Sequence, residues 1–173
     1  GQRKGSASTS DLSEKAIQQT VMAALDIANY TSEDPCAGPA PKELMVKEIP
    51  DLDLFHPDTP DPDHAAEIAI AAEQKALSFS DKIKQSDGAS YDSHYGLKVY
   101  GNSHGMLASY ASSRHSTSCC VIGQGESGVM ERDYSYTVAR HKEDLWTPES
   151  VGLKAAEKTI SRLDAQKLKT GMY

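Results

Sequence analysis

Three histidines, two adjacent cysteines and a few serines are the residues of this chain with reactive chemistry to offer. His94, His104 and His115 fall in one stretch, with Asp92, Glu131 and Asp133 close by in the pattern. Three histidines can hold a catalytic zinc. A helical metal motif would place two of them four residues apart, and no pair in the chain has that spacing. His64 and Glu67 share a helix face, but no second histidine follows. The histidines therefore read as hydrogen-bonding or surface residues, and no metal ligand is expected. Cys119 and Cys120 beside His115 raise a thiol–imidazole nucleophile, whose base must reach the thiol within hydrogen-bonding distance. Residues 115 and 119 share a parity, but along an extended strand they lie roughly 13 Å apart at ~3.3 Å per residue. The cysteines read instead as small strand residues, one of them buried.

Two glycine-rich stretches invite the same scrutiny. Gly101-Asn102-Ser103-His104-Gly105 resembles a nucleophile turn only in outline, because no G-x-S-x-G is present. Gly123 to Gly128 has the glycine count of a phosphate loop. It lacks the Lys-Ser/Thr end, and no helix follows directly, so it reads as a hairpin loop. His141, with Arg140, Lys142, Glu143 and Asp144, reads as a solvated loop. No catalytic, cofactor-binding or metal residue is expected on any of these positions.

These residues must be positioned by a chain of 173 residues, enough for one ordinary domain. Its net charge of −7 and the absence of any basic cluster longer than Arg3-Lys4 argue against a nucleic-acid surface. Three cysteines, two of them adjacent, do not make a disulfide framework. They are expected as reduced thiols in a reducing compartment. No apolar run is long enough to span a membrane, and no signal peptide is visible. The start at Gly1, in mid-pattern, suggests a piece of something longer.

Residues 1–30 read as a strand at Lys4–Thr9 followed by a helix. Asp11 and Glu14 form its capping box, and Leu12, Ala16, Ile17, Val21, Ala24, Leu25 and Ala28 its apolar face. Residues 31–62 hold seven of the eight prolines and read as an extended connection, tacked to the core by Leu52, Leu54 and Phe55. Residues 63–173 read as a helix, an antiparallel meander and a final helix. Asp61-Pro62 opens the first of these helices, with Ala65, Ile68, Ala69, Ala72 and Ala76 as its buried stripe. Thr147-Pro148 opens the last. Between them, Asp87-Gly88, Gly101-Asn102, His104-Gly105 and Gly123–Gly128 mark turns around strands 91–100, 106–113, 117–122 and 129–138. In the last strand Met130, Arg132, Tyr134, Tyr136 and Val138 share one face, and Glu131, Asp133, Ser135 and Thr137 the other. That alternation suits a sheet with one covered face. The small-residue stretch 106–118 could also pair with another chain or an extended peptide. The expected fold is α+β: an antiparallel β-sheet covered on one face by helices near 11–30, 63–79 and 148–163, all in one domain incomplete at both ends.

Longer runs carry a family resemblance. Arg3-Lys-Gly-Ser-Ala-Ser-Thr, Ala23-Ala-Leu-Asp-Ile-Ala, Asp34-Pro-Cys-Ala-Gly, Asp51-Leu-Asp-Leu-Phe-His-Pro, Tyr100-Gly-Asn-Ser-His-Gly-Met, Ser113-Arg-His-Ser, Met130-Glu-Arg-Asp-Tyr and Thr147-Pro-Glu occur in order over nearly the whole chain. They resemble the N-terminal half of the PmbA-type (TldE) members of the TldD/PmbA family. The resemblance implies a subunit of a heteromeric cytosolic zinc metallopeptidase, associated with microcin maturation, antitoxin turnover and, indirectly, DNA gyrase. The family's zinc motif, H-E-x-x-x-H plus a distant cysteine, stands nowhere in this sequence and would lie downstream of Tyr173. Zinc is thus expected only in a TldD-like partner, and this segment as scaffold or partner-binding. The alternative is a non-enzymatic binding protein modulating DNA gyrase or a toxin–antitoxin partner. A missing strand before Lys4–Thr9 would leave a sheet edge open, so self-association is expected as well.

Overall fold

The computed structural model describes residues 2–172; the expectations that touch Gly1 and Tyr173 lie outside the described residues. The chain divides into two compact units. One comprises residues up to Ile49 with Tyr100–Leu107, and the other Pro50–Val99 with Ala108 onward. The proline-rich connection is therefore not a single element, because its two halves belong to different units.

In the first unit, helix α1 spans Glu14–Tyr30. Its N-cap is Ser13, whose hydroxyl accepts from the Ala16 N–H, and not Asp11 as the capping-box spacing predicts. Asp11 acts one step earlier, accepting from the Ser13 N–H at 2.8 Å. Residues 4–9 form no strand, a second correction. Gly5 lies flat against α1, where a Cβ would overlap the Ala24 carbonyl oxygen, and the Lys4 carbonyl is taken by the Thr31 hydroxyl at 3.1 Å. Residues 4–9 thus pair with no strand among the described residues. In the same unit, Asn102 holds the turn at 102–106. Its side-chain oxygen accepts from the His104 and Met106 N–H groups, and Gly105 takes the left-handed φ of 85° that favours glycine.

The second unit holds α2 (Pro62–Leu77), α3 (Pro148–Arg162) and, apart from the end at Tyr100–Leu107, the sheet formed by β1 (Ile83–Gly101), β2 (Leu107–Gln124) and β3 (Met130–Ala139), in the order β1-β2-β3. The α+β fold with an antiparallel sheet is as expected. β2 and β3 pair from His115↔Ala139 to Gln124↔Met130. Both helices start as their sequences predict. Asp61 accepts from the Asp63 N–H, Thr147 from the Ser150 N–H, and each is followed by proline.

Three expectations change. Asp87-Gly88 is not a turn: it lies inside β1, where Gly88 adopts φ 115°. The stretches 106–113 and 117–122 are one strand, β2, because Ser113, His115 and Thr117 face inward, where Ser113 and His115 find partners, while Ser116 and Ser118 lie on the opposite face. From His115 onward β2 pairs with β3 on one side, and it neighbours β1 in the sheet, so this part is no edge that could recruit a peptide. Within the second unit the helices on the sheet are α2 and α3, and α1 is an element of the first unit.

The covered face of β3 is the polar one. Ser135 and Thr137 are buried, whereas Tyr134, Tyr136 and Val138 are exposed. The helices explain this inversion. α3 presents Val151, Gly152, Ala155, Ala156 and Thr159, and α2 presents Ala72 and Ala76, to Cys119 and Val121 of β2. Small residues on both sides bring backbones close, and a tyrosine would hold them apart. The buried hydroxyl of Thr159 is satisfied within its own helix by the Ala155 carbonyl at 2.9 Å.

Candidate functional site

The reactive side chains singled out from the sequence fall in different places. His94 lies exposed on β1, and His104 sits in the turn of the first unit. His115 is fully buried in the second unit and takes two partners. Its Nδ1 meets the Ser93 hydroxyl at 2.9 Å, and its Nε2 meets the His56 carbonyl at 3.0 Å. A carbonyl only accepts, so Nε2 carries the hydrogen and Nδ1 accepts from Ser93. Tyr95 packs edge-on to the ring at 6.0 Å. The histidines do not converge, and His115 acts as a structural hydrogen-bonding residue.

Cys119 is buried against α2, its Sγ 3.8 Å from the Ala72 carbonyl. Burial, then the nearby Glu73 and Cys120, push its thiol up to about 11. A thiol so placed is protonated at neutral pH and a poor nucleophile. Burial also raises the Cys120 thiol, against the opposing pull of Arg132.

What the sequence reading missed is how His115 and its neighbours hold the connection. The Ser113 N–H donates to the Leu54 carbonyl at 2.8 Å, and the His56 N–H to the Ser113 hydroxyl at 2.9 Å. The Asp58 N–H donates to the Tyr95 hydroxyl at 2.9 Å. Leu52 remains exposed, Leu54 is half-buried, and Phe55 makes an edge contact with Tyr95 at 6.3 Å. Residues 50–60 are thus fastened by polar groups as well as by Leu54 and Phe55, the apolar side chains their composition suggests.

The loop after β3 is not simply solvated. The Arg140 guanidinium donates to the Ser113 carbonyl at 2.6 Å, Lys142 pairs with Asp58, and the His141 ring stacks on His56 with centroids 3.4 Å apart. Asp53, His56 and His141 thereby bring one donor atom each within 4.8 Å of the others. Their separation in sequence gave no signal for this. The only local hint is Asp53 and His56 three residues apart.

Asp133 shows how the covered face treats charge. The Tyr134 N–H, 2.7 Å away, holds its carboxyl below the usual carboxylate range, and Arg162 at 3.1 Å adds to this against partial burial. The unfolded chain therefore binds more protons at this group than the native one. The stability it contributes is complete above the ordinary aspartate pKa of ~3.9 and is lost as pH falls through the lower native value. The expected result is that Asp133→Asn costs about 1 kcal/mol at pH 7. The difference should narrow in denaturant titrations as pH falls below ~3.9, and a gap that stays constant there would contradict this account.

Comparison with known proteins matches residues 55–163 to the PmbA/TldA metallopeptidase central domain. The chain is 59% identical over 168 residues to metalloprotease PmbA of Escherichia coli O157:H7, covering 97% of this chain and 37% of that protein. It is 55% identical over 170 residues to the PmbA homologue of Haemophilus influenzae, covering 98% of this chain and 38% of the other. The chain therefore spans little more than a third of the length of these relatives. Among solved structures, a candidate modulator of DNA gyrase from Bacteroides thetaiotaomicron superposes with a TM-score of 0.79 at 26% identity, over 98% of this chain and 39% of that one. TldE from Thermococcus kodakarensis superposes at 0.60 with 18% identity, over 92% and 35%. The latter likeness concerns the fold alone.

Proposed function

The chain belongs to the PmbA/TldD metallopeptidase family, and on that premise we propose that it is a scaffold or partner-binding segment of a PmbA-like subunit, working beside a TldD-like subunit that carries the zinc. The carrying observation is how its reactive groups are used. His115 is engaged through both ring nitrogens, Ser113 through its hydroxyl, and Cys119 is buried with a raised pKa. Groups so employed fasten a fold and are poorly placed to turn over a substrate. The whole subunit would act in a cytoplasmic peptidase complex on peptide substrates, including microcin precursors and antitoxins. The net charge of −7 disfavours direct contact with DNA. No helix among the described residues is long and apolar enough to cross a membrane.

The family description implies a catalytic metal, and one group of donors among the described residues can be tested against it. Asp53, His56 and His141 do not fit a peptidase centre. The Asp53 side chain is 84% exposed, and the two imidazoles lie face to face instead of around a sheltered open position. No catalytic step is derived from them.

The test is peptide cleavage by the 173-residue chain, by a TldD-like subunit, and by the two together, with sedimentation of the mixture. We expect no cleavage by the chain alone and co-sedimentation with the subunit. Metal-dependent cleavage by the chain alone, or the absence of any complex, would overturn the reading.

A further inference from the structure

We propose that Asp53, His56 and His141 form a surface site for a divalent transition metal of the zinc class, which clamps the connection at 50–60 to the loop after β3. The proposal departs from the sequence expectation of no metal ligand, which rested on helical spacing. These three ligands come from two loops, where spacing carries no information.

The distances suit such an ion. His56 Nε2 lies 3.2 Å from Asp53 Oδ1 and 2.9 Å from the Asp53 carbonyl oxygen. Two ligands of a tetrahedral zinc, each bound at ~2.0–2.2 Å, stand about 3.3 Å apart. A metal between Nε2 and Oδ1 would take the place of the imidazole hydrogen that now points at these oxygens. His141 supplies the third donor, since all three ligand atoms lie within 4.8 Å of one another. Its side chain is 45% exposed, so it can turn from the stacked position to aim a nitrogen at the same point. Glu143, whose carboxylate is 3.9 Å from His141 Nδ1, is at hand as a fourth ligand.

The backbone around the site is already fixed, which lowers the cost of ordering the ligands. The His56 N–H is bound by Ser113 and its carbonyl by the buried His115. Asp53 sits at φ 51°, with its N–H donating to the Asp51 carboxylate at 2.9 Å. His141 is flanked by Arg140, tied to the Ser113 carbonyl, and by Lys142, whose charge is occupied by Asp58. Two imidazoles and a carboxylate select zinc, cobalt, nickel or copper. Calcium and magnesium, which ask for about six or more oxygens, are disfavoured.

The experiment is calorimetric titration of the 173-residue chain with zinc chloride in a non-chelating buffer, repeated with cobalt chloride while visible absorption is followed. We expect one saturable site, absorption bands of low-symmetry cobalt, and no heat with calcium chloride. His141→Ala, at a half-exposed loop position, should leave the thermal transition of the metal-free chain in place and weaken zinc binding roughly tenfold or more. His56→Gln should do the same to binding. His64→Gln and Cys36→Ser, at exposed positions outside the cluster, should leave it unchanged. No saturable binding, binding indifferent to His141→Ala, or binding lost in either control variant would overturn the proposal. Its failure would leave the scaffold reading intact, because that reading needs no metal on this chain.

Discussion

Replacing Gly152 by alanine is expected to cost roughly 3–5 kcal/mol, because the added methyl group runs into the backbone of a neighbouring helix. Gly152 is in the second turn of α3, where the helix crosses α2. A Cβ there would overlap the Ala72 carbonyl oxygen and stand 2.9 Å from the Ala72 carbonyl carbon and 3.2 Å from the Ala76 nitrogen. All three are backbone atoms, so no side chain can swing aside. α2 and α3 would have to separate, and Val151, Ala155 and Ala156, now fully buried, would lose their contacts together. A domain is stable by only ~5–15 kcal/mol, so the loss is a large share of the total. At ~2–4 °C per kcal/mol, the thermal midpoint should fall by roughly 6–20 °C. Gly96→Ala is the control. The added Cβ meets nothing nearer than His94 Nε2 at 3.6 Å, and alanine in a strand should be neutral or slightly stabilising. Equal effects of the two changes would refute the packing argument.

His115→Leu is expected to cost about 2–4 kcal/mol, although leucine is apolar and similar in size. The ring is fully buried, and both nitrogens are bound. Leucine leaves the His56 carbonyl and the Ser93 hydroxyl without these partners, and a deserted buried polar group costs ~1–3 kcal/mol. The loss should be local before it is global. Amide exchange in residues 54–59 should accelerate in His115→Leu more than exchange in α3. Uniform acceleration through the unit, or unchanged stability in urea, would show that the histidine is not the fastener described.

How far the sequence foretold this structure depends on the kind of contact involved. Asp61-Pro62 and Thr147-Pro148 were legible as helix starts because a cap and its proline act within one turn. The alternation along 129–138 was legible for the same reason. Which of its faces would be covered was not, because that depends on Gly152, Ala155 and Ala156 arriving from a distant helix. Arg114 to Ser116 read as a gap between strands because of their polarity. They form continuous strand because Ser113 and His115 bind the connection and Ser118 meets Ser90 across the sheet at 3.0 Å. The meeting of His56 and His141 left no trace in either local pattern. For the site, the sequence showed which groups had no motif around them. It could not show that Ser113, His115 and Tyr95 would be spent on holding residues 54–59.

The fastening of residues 50–60 by hydrogen bonds has a calorimetric consequence. Heat-capacity change on opening tracks the apolar surface released to water, and polar surface contributes with the opposite sign. Leu52 is already exposed and Phe55 half-exposed, so of the three large apolar side chains only the half-buried Leu54 gives up much cover when this segment detaches. Its release would therefore carry an enthalpy of broken bonds with only a small change in heat capacity. Such a latch loosens steadily with warming, without the curvature that hydrophobic packing gives the rest of the unit.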